Sequence, residues 1–222
     1  MKINELRACS WTVGEGWPNN GEIDIIEGVN RNTQNAMALH TKDGCSIDGQ
    51  DLTGSVLTRN CYVNAPGQSG NQGCSQIVRT KHNTPFIVLL IPMPQRANTS
   101  QDSRTNSYGD GLNQGGGGVY AMEWNAAFIK VWYFPRGQIP ADALGPNPEP
   151  YNWGTPAGHF QGNCNINNNF NSHRIIFDIT FCGDWAGNVW GSSGCQALAG
   201  TCNDYVSWNA GAFAESYWRI NR

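Results

Sequence analysis

Glu22, Asp24 and Glu27 place three carboxylates within six residues, inside the isoleucine-rich run GEIDIIEG. Only 14% of the chain is charged, so this is a costly concentration of like charge. Each carboxylate raises the proton affinity of its neighbours, and a partly buried one is unfavourable unless compensated. Acetal hydrolysis uses such a cluster: an ionised carboxylate attacks or stabilises the anomeric carbon, and a protonated carboxyl protonates the leaving oxygen. On the residues alone two other uses stay open, a site for calcium or another metal and an ordinary polar strand edge. No EF-hand loop or zinc-like histidine spacing supports the metal, and no metal or other cofactor is expected.

These carboxylates must be carried by a strand. Glu22, Ile23, Asp24 and Ile25 alternate with period two, which sends Glu22 and Asp24 to one face and the isoleucines to the other. Glu27 falls on the wrong face of a regular strand. A β-bulge at Ile25-Ile26 inserts one extra residue and returns it. The two glutamates then stand four strand positions apart, about 13 Å along an ideal strand. Twist and side-chain length must shorten this to the roughly 5 Å that a retaining mechanism needs.

Asn35 to Thr41 (NAMALHT) reads as the neighbouring strand, joined through a turn over Gly28 to Gln34. The opening residues read as a short helix that runs into a turn at WTVGEGWPNN. Thr41 to Gly73 reads as a long loop region tied down by bridges rather than by a core. Tyr120 to Trp124 and Phe128 to Phe134 form a hairpin ended by Pro135, and Pro140 to His159 is a proline-punctuated loop. Arg174 to Cys182 reads as a core strand with Ile175, Phe177, Ile179 and Phe181 on one face. Asp204 to Trp218 reads as a short helix leading into a terminal strand.

The chain has 222 residues, with a formal charge of -3, 27 glycines and nine tryptophans. That length suits one domain with a real core. The weak charge carries no footprint for nucleic acid, and abundant glycine and flat aromatic surface suit short strands and a neutral, stacking ligand. The expected class is all-β. Eight cysteines at mostly irregular wide spacings, with no CxxC pair and four histidines, point to disulfides and an oxidising compartment. The first residues lack the apolar core and cleavage site of a signal peptide. The longest apolar run, Phe86 to Met93, is too short to span a bilayer, so no membrane partner is expected. Residues 77–103 are basic, aliphatic and free of glycine and cysteine, and read as a strand or as an insertion foreign to the fold. They hold the glycosylation acceptor Asn98-Thr99-Ser100.

GEIDIIEG resembles the Glu-x-Asp-x-x-Glu signature of glycoside hydrolase family 16, particularly its fungal laminarinase-like endo-1,3(4)-β-glucanases. WPNNGEIDIIEGVN followed by NAMALHT, YAMEWN with IKVWYFPR, NWGTP, and FCGDWAG resemble that family in the same order. The likeness covers most of residues 11–76 and 104–218, within a single glycoside hydrolase domain taken as 1–222. Compared with the family domain the chain is short at both ends, so the resemblance implies a truncated chain with an insertion near 77–103. Cys9 does not sit where the family places a cysteine.

The resemblance implies a concanavalin A-like jelly-roll sandwich, incomplete here, with a cleft on its concave face. Position by position it makes Glu22 the nucleophile and Glu27 the general acid/base, while Asp24 holds the nucleophile and tunes its protonation. It puts His40 beside Glu27 within hydrogen-bond reach, and Trp11, Trp17 and Trp185 near the cleft, where they could stack on glucose rings. Glu123 could line the cleft and bind sugar hydroxyls; a surface strand glutamate is the plainer reading. The implied activity is endo-acting, retaining cleavage of β-1,3 or mixed-linkage β-1,3/1,4-glucan by an extracellular monomer. A non-catalytic glucan-binding module and an inactive fragment are the competing readings.

Overall fold

The computed structural model describes residues 7–78 and 106–218, with side chains from Cys9 onward. Among the described residues nine strands make two antiparallel sheets. The larger contains β1 (Arg7–Gly14), β2 (Glu22–Glu27), β3 (Ala36–His40), β4 (Ser55–Thr58), β5 (Cys74–Ile77) and β9 (His173–Thr180), in the order β4-β5-β3-β2-β1-β9. The smaller holds β6 (Gly118–Trp124), β7 (Ile129–Pro135) and β8 (Gly158–Phe160) in sequence order. Four short helices among the described residues, α1 (Gly109–Gln114), α2 (Ile166–Asn169), α3 (Gly183–Asn188) and α4 (Cys202–Trp208), join or follow the strands. This is the expected all-β sandwich.

The core lies between the sheets. Ile23, Met37 and Leu39 from the large sheet meet Ile129, Val131 and Phe160 from the small one. Full burial of such a side chain contributes about 1.5–3 kcal/mol. Alternation then sends Glu22, Asp24, Ala38 and His40 to the opposite, outer face of the large sheet. Three bridges tie the loops: Cys45–Cys164, Cys61–Cys74 and Cys182–Cys202. Cys9 and Cys195 lie in none of them, so the expectation of disulfides holds for six of the eight cysteines.

Several expectations are corrected. The short helix gives way to β1, which lies between β2 and β9, while the expected turn forms at residues 15–20; residues 1–6 are outside the described residues. Thr41 to Gly73 contains β4, and Cys45, Ile47 and Cys61 join the main core, so this region is not held by bridges alone. Ile77 closes β5, and Val78 is buried in the same core. The remainder of 77–103, with its Asn98 acceptor, lies outside the described residues. β9 is a strand as expected, but among the described strands it sits at the sheet's end, with Ile175 71% and Phe177 40% exposed. After α4 the chain forms a 3-10 turn over Ala210–Phe213 and no strand through Trp218.

Candidate active site

The bulge forms where the alternation requires it. Asp24 faces Ala38 and Glu27 faces Ala36, so three steps on β2 answer two on β3. Ile25 packs into the main core and Ile26 into a second cluster with Tyr108, Ile179 and Trp218. A bulge breaks the backbone ladder and leaves groups that need other partners. Asn35 supplies them. Its Oδ1 accepts from the Glu27 backbone N–H at 2.7 Å, and its Nδ2 donates to the Ile25 carbonyl at 2.8 Å. The Asn35 backbone N–H in turn donates to Ser107 Oγ at 2.9 Å. Tyr120 Oη donates to the Ser107 carbonyl at 2.6 Å, anchoring this segment to the small sheet.

The other end of β2 is set by Gly21. Its φ is +77°, and a Cβ there would stand 2.4 Å from the Asn169 carbonyl oxygen, so glycine is needed just before Glu22. His173 closes the same turn. Its ring nitrogens lie 2.8 Å from Thr12 Oγ1 and 2.7 Å from the Asn20 carbonyl, which must accept from Nε2–H. Burial pushes the His173 proton affinity down, consistent with that neutral tautomer.

On the outer face Glu22 lies opposite His40, and donor atoms of Glu22, Asp24 and His40 all fall within 4.8 Å of one another. His40 Nε2 is 3.1 Å from Asp24 Oδ2. Burial pushes the Glu22 carboxyl up to about 8. The Asp24 charge adds to the rise, the His40 charge opposes it, and Glu27 and a hydrogen bond with Asp24 add the rest. The resting site therefore holds a proton on the hydrogen-bonded Glu22–Asp24 pair at neutral pH. The three donors could coordinate a cation, yet the same burial favours the proton on Glu22.

His40 is the main revision to the expected site: the β2–β3 register sets it opposite Glu22, and its ring reaches Asp24 rather than Glu27. Beside Glu27 lies Cys9, whose Sγ is 3.9 Å from Glu27 Oε1. Trp11 faces Asp24 across β1–β2, and its Nε1 is buried with no hydrogen-bond partner among the described residues. Trp17 stands 42% exposed in the turn before Glu22. Trp185 is 40% exposed on α3, a segment tied to the loop after Glu27 by Asn30 Nδ2 donating to the Ala186 carbonyl at 2.9 Å. The tryptophans thus stand near the start, middle and end of the carboxylate strand.

Glu123 is not part of this arrangement. It pairs with Lys130, while Tyr120, Met122 and Trp124 turn inward to the core. Its side chain is on the outer face of the small sheet, with the whole core between it and Glu22. Sequence reasoning missed Asn35, Cys9 and His173. The signal for Asn35 was its position at the mouth of NAMALHT, beside a strand that needed a bulge.

The profile of the XgeA-like, catalytic GH16 domain matches residues 8–86 and 92–222. A probable endo-1,3(4)-β-glucanase of Aspergillus fumigatus is 42% identical over 217 residues, 95% of this chain and 29% of that protein. A crystal structure of an elongating GH family 16 β-1,3-glucosyltransferase superposes with a TM-score of 0.79 at 39% identity, covering 99% of this chain and 66% of the other. Laminarinase 16A from Phanerochaete chrysosporium, solved with two β-glucans in donor and acceptor sites, gives a TM-score of 0.80 at 39% identity, covering 98% and 66%. The chain thus spans under a third of that Aspergillus relative and about two thirds of these solved chains.

Proposed function

The chain belongs to glycoside hydrolase family 16, and from that premise we propose that it is an endo-acting, retaining hydrolase of β-1,3 or mixed-linkage β-1,3/1,4-glucans. The observation that carries this reading is the bulge clamped by Asn35, which turns Glu27 to the face already occupied by Glu22 and Asp24. The names of the relatives support the substrate class. Residues 1–222 act as one catalytic domain in this proposal.

Glu22 is the nucleophile and Glu27 the general acid/base. Before attack, the proton held by Glu22 crosses its hydrogen bond to Asp24, freeing the Glu22 carboxylate. Glu22 forms a bond to the anomeric carbon as the glycosidic C–O bond breaks, and Glu27 gives its proton to the departing oxygen. Glu27 then takes a proton from water, which attacks the same carbon and releases Glu22. His40 steadies Asp24 through this exchange. Trp11, Trp17 and Trp185 offer flat faces to sugar rings along the strand.

We place the protein outside the cell as a monomer, with a polysaccharide and neither nucleic acid nor membrane as partner. Three disulfides favour an oxidising compartment, and among the described residues no helix is long and apolar enough to cross a membrane. The test is reducing-sugar release from laminarin, lichenan and cellulose by wild type, Glu22→Ala and Glu27→Ala. Release by wild type alone is expected, with unchanged far-UV circular dichroism in the variants. Turnover retained in Glu22→Ala overturns the assignment. Glucan binding without release identifies a binding module, and neither identifies an inactive fragment.

A further inference from the structure

We propose that the Cys9 thiol is a positioning residue for Glu27, donating a hydrogen bond to its carboxylate and so holding it for the proton transfers of each cycle. This rests on the reading of Glu27 as the acid/base. Cys9 is 1% exposed and lies in no disulfide. Ser10 faces Ile26 across β1–β2, so the next rung along sets Cys9 beside Glu27, and the distance from Sγ to Oε1 is 3.9 Å. A thiol can donate, weakly, and a carboxylate can only accept. A carboxylate that loses a donor holds its proton more tightly.

Among the described residues the titratable and charged groups on this face are Glu22, Asp24 and Glu27 from β2, His40 from β3, Cys9 from β1, and Asp178 and Arg174 from β9, Arg174 being exposed and paired with Glu15. His40 is committed to Asp24. Asp178 lies across from Cys9, on the side away from Glu27, and its Oδ1 is buried with no hydrogen-bond partner among the described residues. Cys9 thus separates two carboxylates in one row of the sheet. Its proton is kept by both neighbours, because each negative charge disfavours a thiolate. A neutral donor is what Glu27 needs, since it must accept and release a proton in each cycle.

Two measurements on the full chain test this. The first is the pH dependence of kcat/KM on laminarin for wild type, Cys9→Ala and Cys9→Ser. Loss of the thiol moves the basic limb up by about 0.5–1 pH unit, a three- to tenfold change in proton affinity, while Cys9→Ser returns it part of the way. KM stays near the wild-type value. A basic limb that does not move in Cys9→Ala overturns the proposal.

The second measurement needs no turnover. Thiolate absorbance of Cys9 is the difference between Cys195→Ser and the Cys195→Ser/Cys9→Ala pair, followed against pH with and without Glu27→Gln. Removing the carboxylate charge lowers the pH at which Cys9 ionises; an unchanged ionisation overturns the contact. A wild type that releases no sugar, with Cys9 ionisation still answering to Glu27→Gln, refutes the hydrolase and retains the thiol–carboxylate coupling.

Discussion

Replacing Glu22 by glutamine should stabilise the protein while abolishing turnover. The carboxyl is raised from 4.5 to about 8, burial being the largest cause. An unfolded chain loses that proton near 4.5, whereas the folded one keeps it, so stability present below pH 4.5 is lost progressively as pH rises towards 8. Each tenfold difference in proton affinity is worth about 1.4 kcal/mol, so the penalty reaches about 3 kcal/mol at pH 7 and about 5 kcal/mol above pH 8. Glu22 keeps some solvent contact, which makes these figures ceilings. Glutamine has nearly the same shape, carries no charge at any of these pH values, and can donate its amide to Asp24 as the protonated acid does. Equilibrium denaturation at pH 4.5, 6, 7 and 8 should show a gap between Glu22→Gln and wild type that is near zero at the lowest value and widens upward. At pH 7 the melting temperature should rise on the order of 6–12 °C. Equal stability at pH 8, or a gap that does not change with pH, refutes the reasoning.

Asn35→Ala strips two backbone groups of their partners at the bulge; it should cost about 2–4 kcal/mol in denaturant unfolding and lower kcat by about a hundredfold or more as Glu27 loses its placement. His173 has its proton affinity lowered by burial, so its unfolded form protonates first and stability falls as pH drops below about 6.5. Relative to wild type, His173→Gln should flatten that acid-side loss in a pH series of melting temperatures. The bridges should rank by the loop they close: replacing Cys45 and Cys164 together, across a separation of 119, should cost about 5 kcal/mol, against about 3 kcal/mol for Cys61 and Cys74 across 13. Paired Cys-to-Ser variants compared by urea unfolding would show the order.

The acidic strand was legible because its alternation and its one violation sit in the same eight residues. Ile25 and Ile26 both seek burial, and Glu27 can share a face with Glu22 only if the ladder skips once. β1 was not legible for the opposite reason. RACSWTVG has one face against the core and the other against the site, so small, polar and aromatic residues mix without the contrast that marks a half-solvated strand. β9 misled differently: Ile175 and Phe177 announce an apolar face, but a sequence does not say whether anything covers it. The partner of His40 is a matter of register: it stands opposite Glu22 and leans to Asp24, while the place opposite Glu27 falls to Ala36.

The place of β1 in the large sheet also bears on how the molecule is made. It precedes the other described strands, yet it pairs with β9, and the Thr12–His173 contact joins residues 161 apart. Closing so long a loop is slow and entropically unfavourable until the pairing is complete. During synthesis β2 and β3 can meet early, while β1, which carries Cys9 and Trp11, cannot be enclosed on both sides until residue 180 has emerged. The face that carries the carboxylates is then one of the last surfaces to become rigid, and turnover should lag behind the first compact intermediates during refolding.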